Sequence, residues 1–427
     1  MFHSRWFSRA AIAATCIAGS STQLSAVDAG PLTIHGAVSA TAAISDRYNF
    51  LGETEGSPSV NVLEATLNGS HRFANGLTAA AQLYAYEVDN YSDLSLDFAS
   101  LGYAFNEQVG VRAGRVKSAY GLYGEVQDLD MVRPFAFLPL RFYEKTLRPL
   151  TAAFDGVSLY GTFSLGAAGS LDYQIGYGLL PPVAADSPYV RNSLEGSLNR
   201  ADDFDGDDLT GLWVFWNLPV DGFRVGFTRN EIYDFSLQGQ MKSAADAAEA
   251  RGDARLAPLA FPAGMWDLLI AGQPAQIRGD YRREVFSVEY TRGDWQFAAE
   301  YQLLTLDSVA EYPAPLGVQH SHTRGDAFYG MATWQATKRW QFGAYYSEAY
   351  DDRSDRRGRK LVAVPNHTAW LKDTAVAASY SATDWWLIKA EIHLLNGTSG
   401  VTAYNNDPVT TWKPDWTYFV LKSTISF

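Results

Sequence analysis

Along most of this chain polar and apolar positions alternate with a period of two. In the terminal stretch DWTYFVLKSTISF, Phe419, Leu421, Ile425 and Phe427 fall on one face and Tyr418, Lys422, Thr424 and Ser426 on the other. Glu64, Thr66, Asn68, Ser70 and Arg72 alternate with Leu63, Ala65 and Leu67, and Lys389, Glu391 and His393 alternate with Ile388, Ala390, Ile392 and Leu394. Successive side chains of a strand point to opposite faces, so each such segment is predicted to have one apolar face and one charged face. The rhythm predicts strands at 32–43, 61–73, 77–88, 94–105, 109–117, 154–165, 170–180, 209–218, 222–233, 281–292, 294–306, 326–337, 339–350, 372–382, 385–395 and 415–427.

The connections alternate too. Asn75-Gly76, Asn106 to Gln108, Gly169, Pro219 to Asp221, Gly293, Lys338 and Thr383-Asp384 mark tight turns, since Gly, Asn, Asp and Pro favour turn backbone. The connections between them, including 44–60, 118–153, 181–208, 234–280, 307–325, 351–371 and 396–414, are mostly long and polar. Short joints at one end and long ones at the other are the asymmetry of a transmembrane antiparallel β-barrel. The expected fold is all-β with sixteen strands, or eighteen if part of 255–275 pairs. At that width side chains cannot fill the interior, so charged inner faces would be bathed in water. A soluble β-sandwich would alternate as well, but repetition over the whole chain favours the barrel.

Composition narrows the class further. Aromatic residues reach 14% and charged residues only 19%, yet the longest clean apolar run, Ala10 to Gly19, is too short for a membrane-spanning helix. That run follows Arg5 and Arg9, the arrangement of a cleaved signal peptide, predicted as residues 1–26 with cleavage after Ala29 as the alternative. Residues 27–427 then form one barrel domain. Cleavage removes Cys16, the only cysteine, and also two arginines with no acid, so a formal net charge of −13 becomes still more negative. Such a chain repels nucleic acid. No arrangement of catalytic residues is found and no cofactor is expected.

The last ten residues, YFVLKSTISF, resemble the terminal strand that Gram-negative barrel proteins present to the outer-membrane assembly machinery, with Phe427 as the signal. The strand count, with the long connection 118–153 after the fifth strand, resembles the porin superfamily, and GRVKSAYGLYGEVQDLDM is similar to the third loop of porins related to the phosphate-selective group. The resemblance implies an in-folded third loop that narrows the pore, a location in the outer membrane beside lipopolysaccharide, and a homotrimer. The chain is longer than most trimeric general porins because of 181–208 and 234–280.

Candidate chemistry gathers at that loop. Arg112, Arg115, Lys117, Glu125, Asp128, Asp130, Arg133 and Arg141 are the expected constriction residues, with cations of one strand end facing acids of the loop. Arg112 and Arg115 are three apart, so a bulge at Gly114 is needed to bring both inward. Glu64, Arg72, Lys389, Glu391, His393 and Lys422 are expected to face the lumen. Phe135, Phe137, Leu138, Leu140, Phe142 and Tyr143 in the loop are costly to leave in water, which suggests that the loop packs on the inner wall. The acidic run 202–208 makes Asp203, Asp205 and Asp207 weak candidates for a cation, without the bidentate glutamate of a calcium loop. Passive diffusion of small polar solutes and ions is the expected function. A substrate-selective porin, for phosphate-like anions or a carbon source, is the alternative, and a surface binding or adhesion barrel a further one.

Overall fold

The computed structural model describes residues 27–29, 32–88, 91–133, 135–145, 148–183, 198–206, 208–243, 263–361, 364–402 and 406–427. The strands are β1 (Val27–Ala29), β2 (Leu32–Ser45), β3 (Ser59–Arg72), β4 (Leu77–Val88), β5 (Tyr91–Ala104), β6 (Gly110–Lys117), β7 (Ala153–Ser164), β8 (Ser170–Leu179) and β9 (Leu198–Gly206). They continue as β10 (Asp208–Asn217), β11 (Phe223–Met241), β12 (Pro274–Arg292), β13 (Trp295–Glu311), β14 (Val318–Gln335), β15 (Trp340–Tyr350), β16 (Trp370–Ser381), β17 (Trp386–Gly397) and β18 (Asp415–Ser426). Each barrel strand pairs antiparallel with its neighbours, β8 joins β10 directly, and β18 pairs with β2. The result is a closed barrel of sixteen strands, with β1 and β9 as short satellites outside the ring. The expected count of sixteen therefore holds and the eighteen-strand alternative falls.

The two faces separate as the alternation requires. Val38, Leu67, Leu94, Val157, Ile175, Phe286, Val376, Leu394 and Phe419 are exposed on the outside, where a lipid bilayer would cover them. Trp216, Trp295, Phe297, Trp334, Trp340 and Phe342 stand exposed near the short-turn end, with Trp295 stacked on Trp334 at 5.7 Å. Amphipathic rings at that level form one of the interfacial belts of a membrane barrel. The turns are tight because their residues supply the backbone: Asn106 Oδ1 accepts from the N–H groups of Gln108 and Val109, and Gly293 takes a φ of +59° that a side chain would resist.

Four strands outrun their predicted limits. β11 and β12 pair from Phe223↔Tyr290 out to Gln240↔Pro274, and β13 and β14 continue to Glu311↔Val318. Much of what the sequence suggested as loop at 234–280 and 307–325 is thus sheet. The alternation fades there because an extension beyond the bilayer needs no apolar lipid face. One side still packs: Phe235, Leu237, Met241, Ile270 and Ala275 form a buried cluster with Val116, Phe154, Leu180 and Leu209.

Candidate functional site: the barrel lumen and the loop inside it

The connection between β6 and β7 holds aromatic groups that water would expel, each worth roughly 1.5–3 kcal/mol when buried. They are buried against inward-facing wall residues. Phe135 lies 4.9 Å from the ring of Tyr345 and Phe142 lies 5.0 Å from Tyr329. Ala136, Phe137 and Leu140 join the cluster of Leu371, Leu395, Tyr418 and Val420. The loop thus crosses the lumen and packs on the wall built by β12 to β18 and β2 to β4.

Buried charges fasten its tip. Lys389 Nζ donates to the carbonyls of Asp130 (2.8 Å), Arg133 (2.7 Å) and Phe135 (3.1 Å), three acceptors of one loop turn. Glu391 accepts from the backbone N–H groups of Ala136 and Phe137. Lys422 Nζ bridges Glu64 at 2.7 Å and Asp130 at 2.8 Å, while Lys145 pairs with Glu64 and Arg133 with Asp130. Thr424 Oγ1 adds 2.8 Å to Asp130, and Tyr84 donates to Glu64 at 2.6 Å. Removing one partner of such a dry network leaves an uncompensated charge, at a cost of about 3–5 kcal/mol. His393 lies in the same wall, 3.0 Å from Asp373 and 3.2 Å from Glu391. Burial outweighs Glu64 at Lys145 and pushes its ammonium down to about 7.

The start of the loop is held by the carboxylate of Glu300 and by neutral groups. Leu122 N–H donates to Glu300 Oε1 at 2.8 Å, and the hydroxyls of Tyr329, Tyr143 and Ser287 donate to the same carboxylate. Gly121 receives the indole of Trp213 on its carbonyl at 3.2 Å and donates to Thr228 at 3.1 Å. Glu300 was not singled out from the sequence. The signal at Glu300 is an acid set in a largely apolar stretch, FAAEYQLL.

The expected constriction residues do not form one set. Arg112 is on the inner face of β6, opposite Ser158, and stacks on Tyr160 at 4.2 Å. Burial raises the carboxyl of Glu125 above the usual carboxylate range, against the pull of Arg112 and Lys117. Lys117 reaches Asp128 at 2.8 Å and Asp97 at 3.6 Å, and Arg148 also pairs with Asp97. Asp97 is the extra residue of a bulge in β5, which turns it inward beside Phe98. Arg141 pairs with Glu144 and, at 3.2 Å, with Asp351, which ties the loop to the 351–369 connection. So Lys117, Asp128, Asp130 and Arg133 are paired to neighbours rather than facing one another across open water.

Arg115 corrects the expectation directly. Gly114 has a φ of +118°, yet the pairing of β6 runs through it without a register shift, so no bulge carries Arg115 inward. Its strand partners are Ala99 and Asp155, beside exposed Leu101 and Val157, and its guanidinium bonds Asp155 at 2.7 and 2.8 Å. It therefore sits on the outer surface. Arg72 shares the inner face of Glu64 but lies at the far end of β3, exposed at the short-turn mouth.

No protein-family model matches the chain, and no curated protein matches it. Solved structures do. Outer-membrane expressed OmpT of Vibrio cholerae is 14% identical over 94% of this chain and 100% of its own, with a TM-score of 0.52. An anion-selective porin from Comamonas acidovorans is 10% identical over 93% of this chain and 99% of its own, with a TM-score of 0.53. OmpF of Salmonella typhi, solved with daunomycin, is 13% identical over 93% and 97%, with a TM-score of 0.52. The chain has the porin fold.

In this porin barrel the seam between β18 and β2 is closed by Phe427. Its backbone exchanges hydrogen bonds with Gly36 at 2.9 and 3.1 Å, and a side-chain carbon on Gly36 would lie 2.5 Å from the phenylalanine ring. The acidic run is not a loop: Leu198–Gly206 is β9, paired with β11, and Asp208 begins β10. Of the expected cation candidates, Asp203 and Asp205 are strand residues of β9, opposite Gln238 and Ser236 of β11. Asp207 lies outside the described residues, as do residues 1–26.

Proposed function

We propose that the chain is an outer-membrane channel for passive diffusion of small polar solutes and ions, narrowed by the loop 118–153. The observation that carries this reading is the loop itself, packed across the lumen of a barrel too wide to be filled by wall side chains. The path runs along the wall it leaves uncovered, past Arg112, Tyr160, Asp172 and Asn217. Residues 1–26 act as the signal peptide, lipopolysaccharide and phospholipid surround the barrel, and three copies assemble. No catalytic step is assigned to it.

Reconstitution in planar bilayers tests the reading: discrete open-channel steps in potassium chloride are expected, and a barrel that inserts without any conductance excludes it. Assembly is tested separately by Phe427→Asp. That variant should reach the outer membrane at well below wild-type level, because the acid replaces the ring that covers Gly36.

A further inference from the structure

β12 carries two successive arginines with opposite circumstances. Arg282 points outward and pairs with Glu231. Arg283 points inward, is 2% exposed, forms no ion pair with an acid among the described residues, and leaves its Nε without a partner. Its guanidinium lies between two aromatic faces, 4.7 Å from the ring of Tyr120 on the loop and 5.7 Å from that of Tyr281 on its own strand. Among the described residues, the only polar groups close to the guanidinium are the hydroxyls of these two tyrosines, which are neutral partners.

The surroundings are equally unfinished. Asn230 is the direct cross-strand neighbour of Arg283, and its Oδ1 is buried without a donor. One rung away, Gln302 Oε1 is buried without a donor, and in the loop Gln127 Nε2 and Tyr123 OH lack partners. A buried cation without an acid to balance it is expensive, far more so than a surface arginine. The buried arginines of the loop itself meet acids: Arg133 has Asp130, Arg141 has Glu144, and Arg148 has Asp97. At Arg283 the acid is missing while the aromatic walls and amide groups are in place.

We propose that Arg283, flanked by Tyr120 and Tyr281, is a binding subsite for a small solute bearing an oxyanion, a carboxylate or a phosphate group. The planar fork of the guanidinium matches either group with paired donors. The two rings confine the anion to a slot, and Gln127 Nε2 offers a further donor. Asn230 and Gln302 present acceptors that suit hydroxyl or amine groups on the rest of the solute. The subsite deepens the channel reading and rests on it, since solute reaches the slot only through the lumen.

The test uses the full mature chain in detergent and in planar bilayers, with acetate and inorganic phosphate as probes against chloride at equal ionic strength. In detergent, one probe or both should raise the thermal unfolding midpoint saturably, and whichever does so names the preferred group. Arg283→Met should unfold at a higher midpoint than wild type without any probe, because an unpaired buried charge is gone, and should lose the probe-induced rise. Arg283→Lys keeps the charge but not the fork, and should bind at least about tenfold more weakly. Arg282→Met should respond to the probes as wild type does. A purely structural arginine would instead lower the midpoint when replaced and leave the probe response intact. The proposal is overturned if neither probe acts saturably on wild type, or if Arg283→Met responds as wild type does. A barrel that shows the Arg283-dependent response but no bilayer current would refute the channel and leave the subsite standing.

Discussion

From β16 through β18 to β3 the inner wall keeps its charges dry and paired, whereas from β6 to β10 its polar groups remain in contact with water. Lys389, Glu391, His393 and Lys422 are all buried, and each bonds to the loop or to another wall residue. Arg112, Tyr160, Asp172 and Asn217 on the other wall are only partly buried, and Asp172 is held by neutral donors, Thr162 and Asn217, at 2.7 Å. Both walls read alike in sequence, as strands with charges on one face. What separates them is the loop, which converts solvated charges into a structural lock on one side and leaves a polar lining on the other.

The comparison breaks most visibly if the lock is cut. Lys389→Met removes the donor to three loop carbonyls, and Asp130→Asn weakens the bridge between Lys422 and Arg133. Either change should destabilise the loop by about 3–5 kcal/mol. Single-channel recordings should then show larger, noisier steps, and an unchanged trace would mean that the loop is held by something else. A smaller effect is expected at Glu300→Gln. The amide keeps one acceptor, and no cation is left unpaired, so about 1–3 kcal/mol is lost and the unfolding midpoint falls only modestly.

Smaller again are the effects on selectivity, which sharpen the contrast between faces. Arg112→Gln should move the reversal potential in a salt gradient toward cations, because a fixed charge beside the water path is poorly screened over the roughly 8 Å Debye length of physiological salt. Arg115→Gln should leave it unmoved, since that side chain is bonded to Asp155 on the outside. Neutralising Asp202, Asp203 and Asp205 should shift it less than Arg112→Gln does. A larger shift from Arg115 than from Arg112 would reverse the assignment of faces on β6.

Much of the barrel was legible because period-two alternation is a strong signal wherever one face meets lipid and the other water. Segments such as 170–180 and 385–395 were placed within about two residues of their limits. The extensions of β11 to β14 were missed because, away from lipid, their outer faces carry polar groups such as Gln238, Gln240 and Gln276 that read as loop. At the site, parity found Glu64, Lys389, Glu391 and Lys422, whereas Arg115 was misplaced by assuming a bulge at a glycine whose ladder is unbroken. The true bulge, at Asp97, left no turn residue to announce it. Pairings such as Lys145 with Glu64, 81 residues apart, depend on the path of the loop, which no local pattern encodes.

The place of the loop tip is open to direct measurement. Asp130 touches Thr424, three residues from the end of the chain and so about 10 Å above the short-turn mouth, while Met131 and Val132 beside it are exposed. Residues 27–427 contain no cysteine, so Val132→Cys introduces a single thiol into them. A small charged thiol reagent added from the short-turn side of an oriented bilayer should modify it and reduce the current stepwise. Unimpaired current together with rapid labelling by a bulky reagent from the long-loop side would place the tip outside the barrel and contradict a constriction formed by this loop.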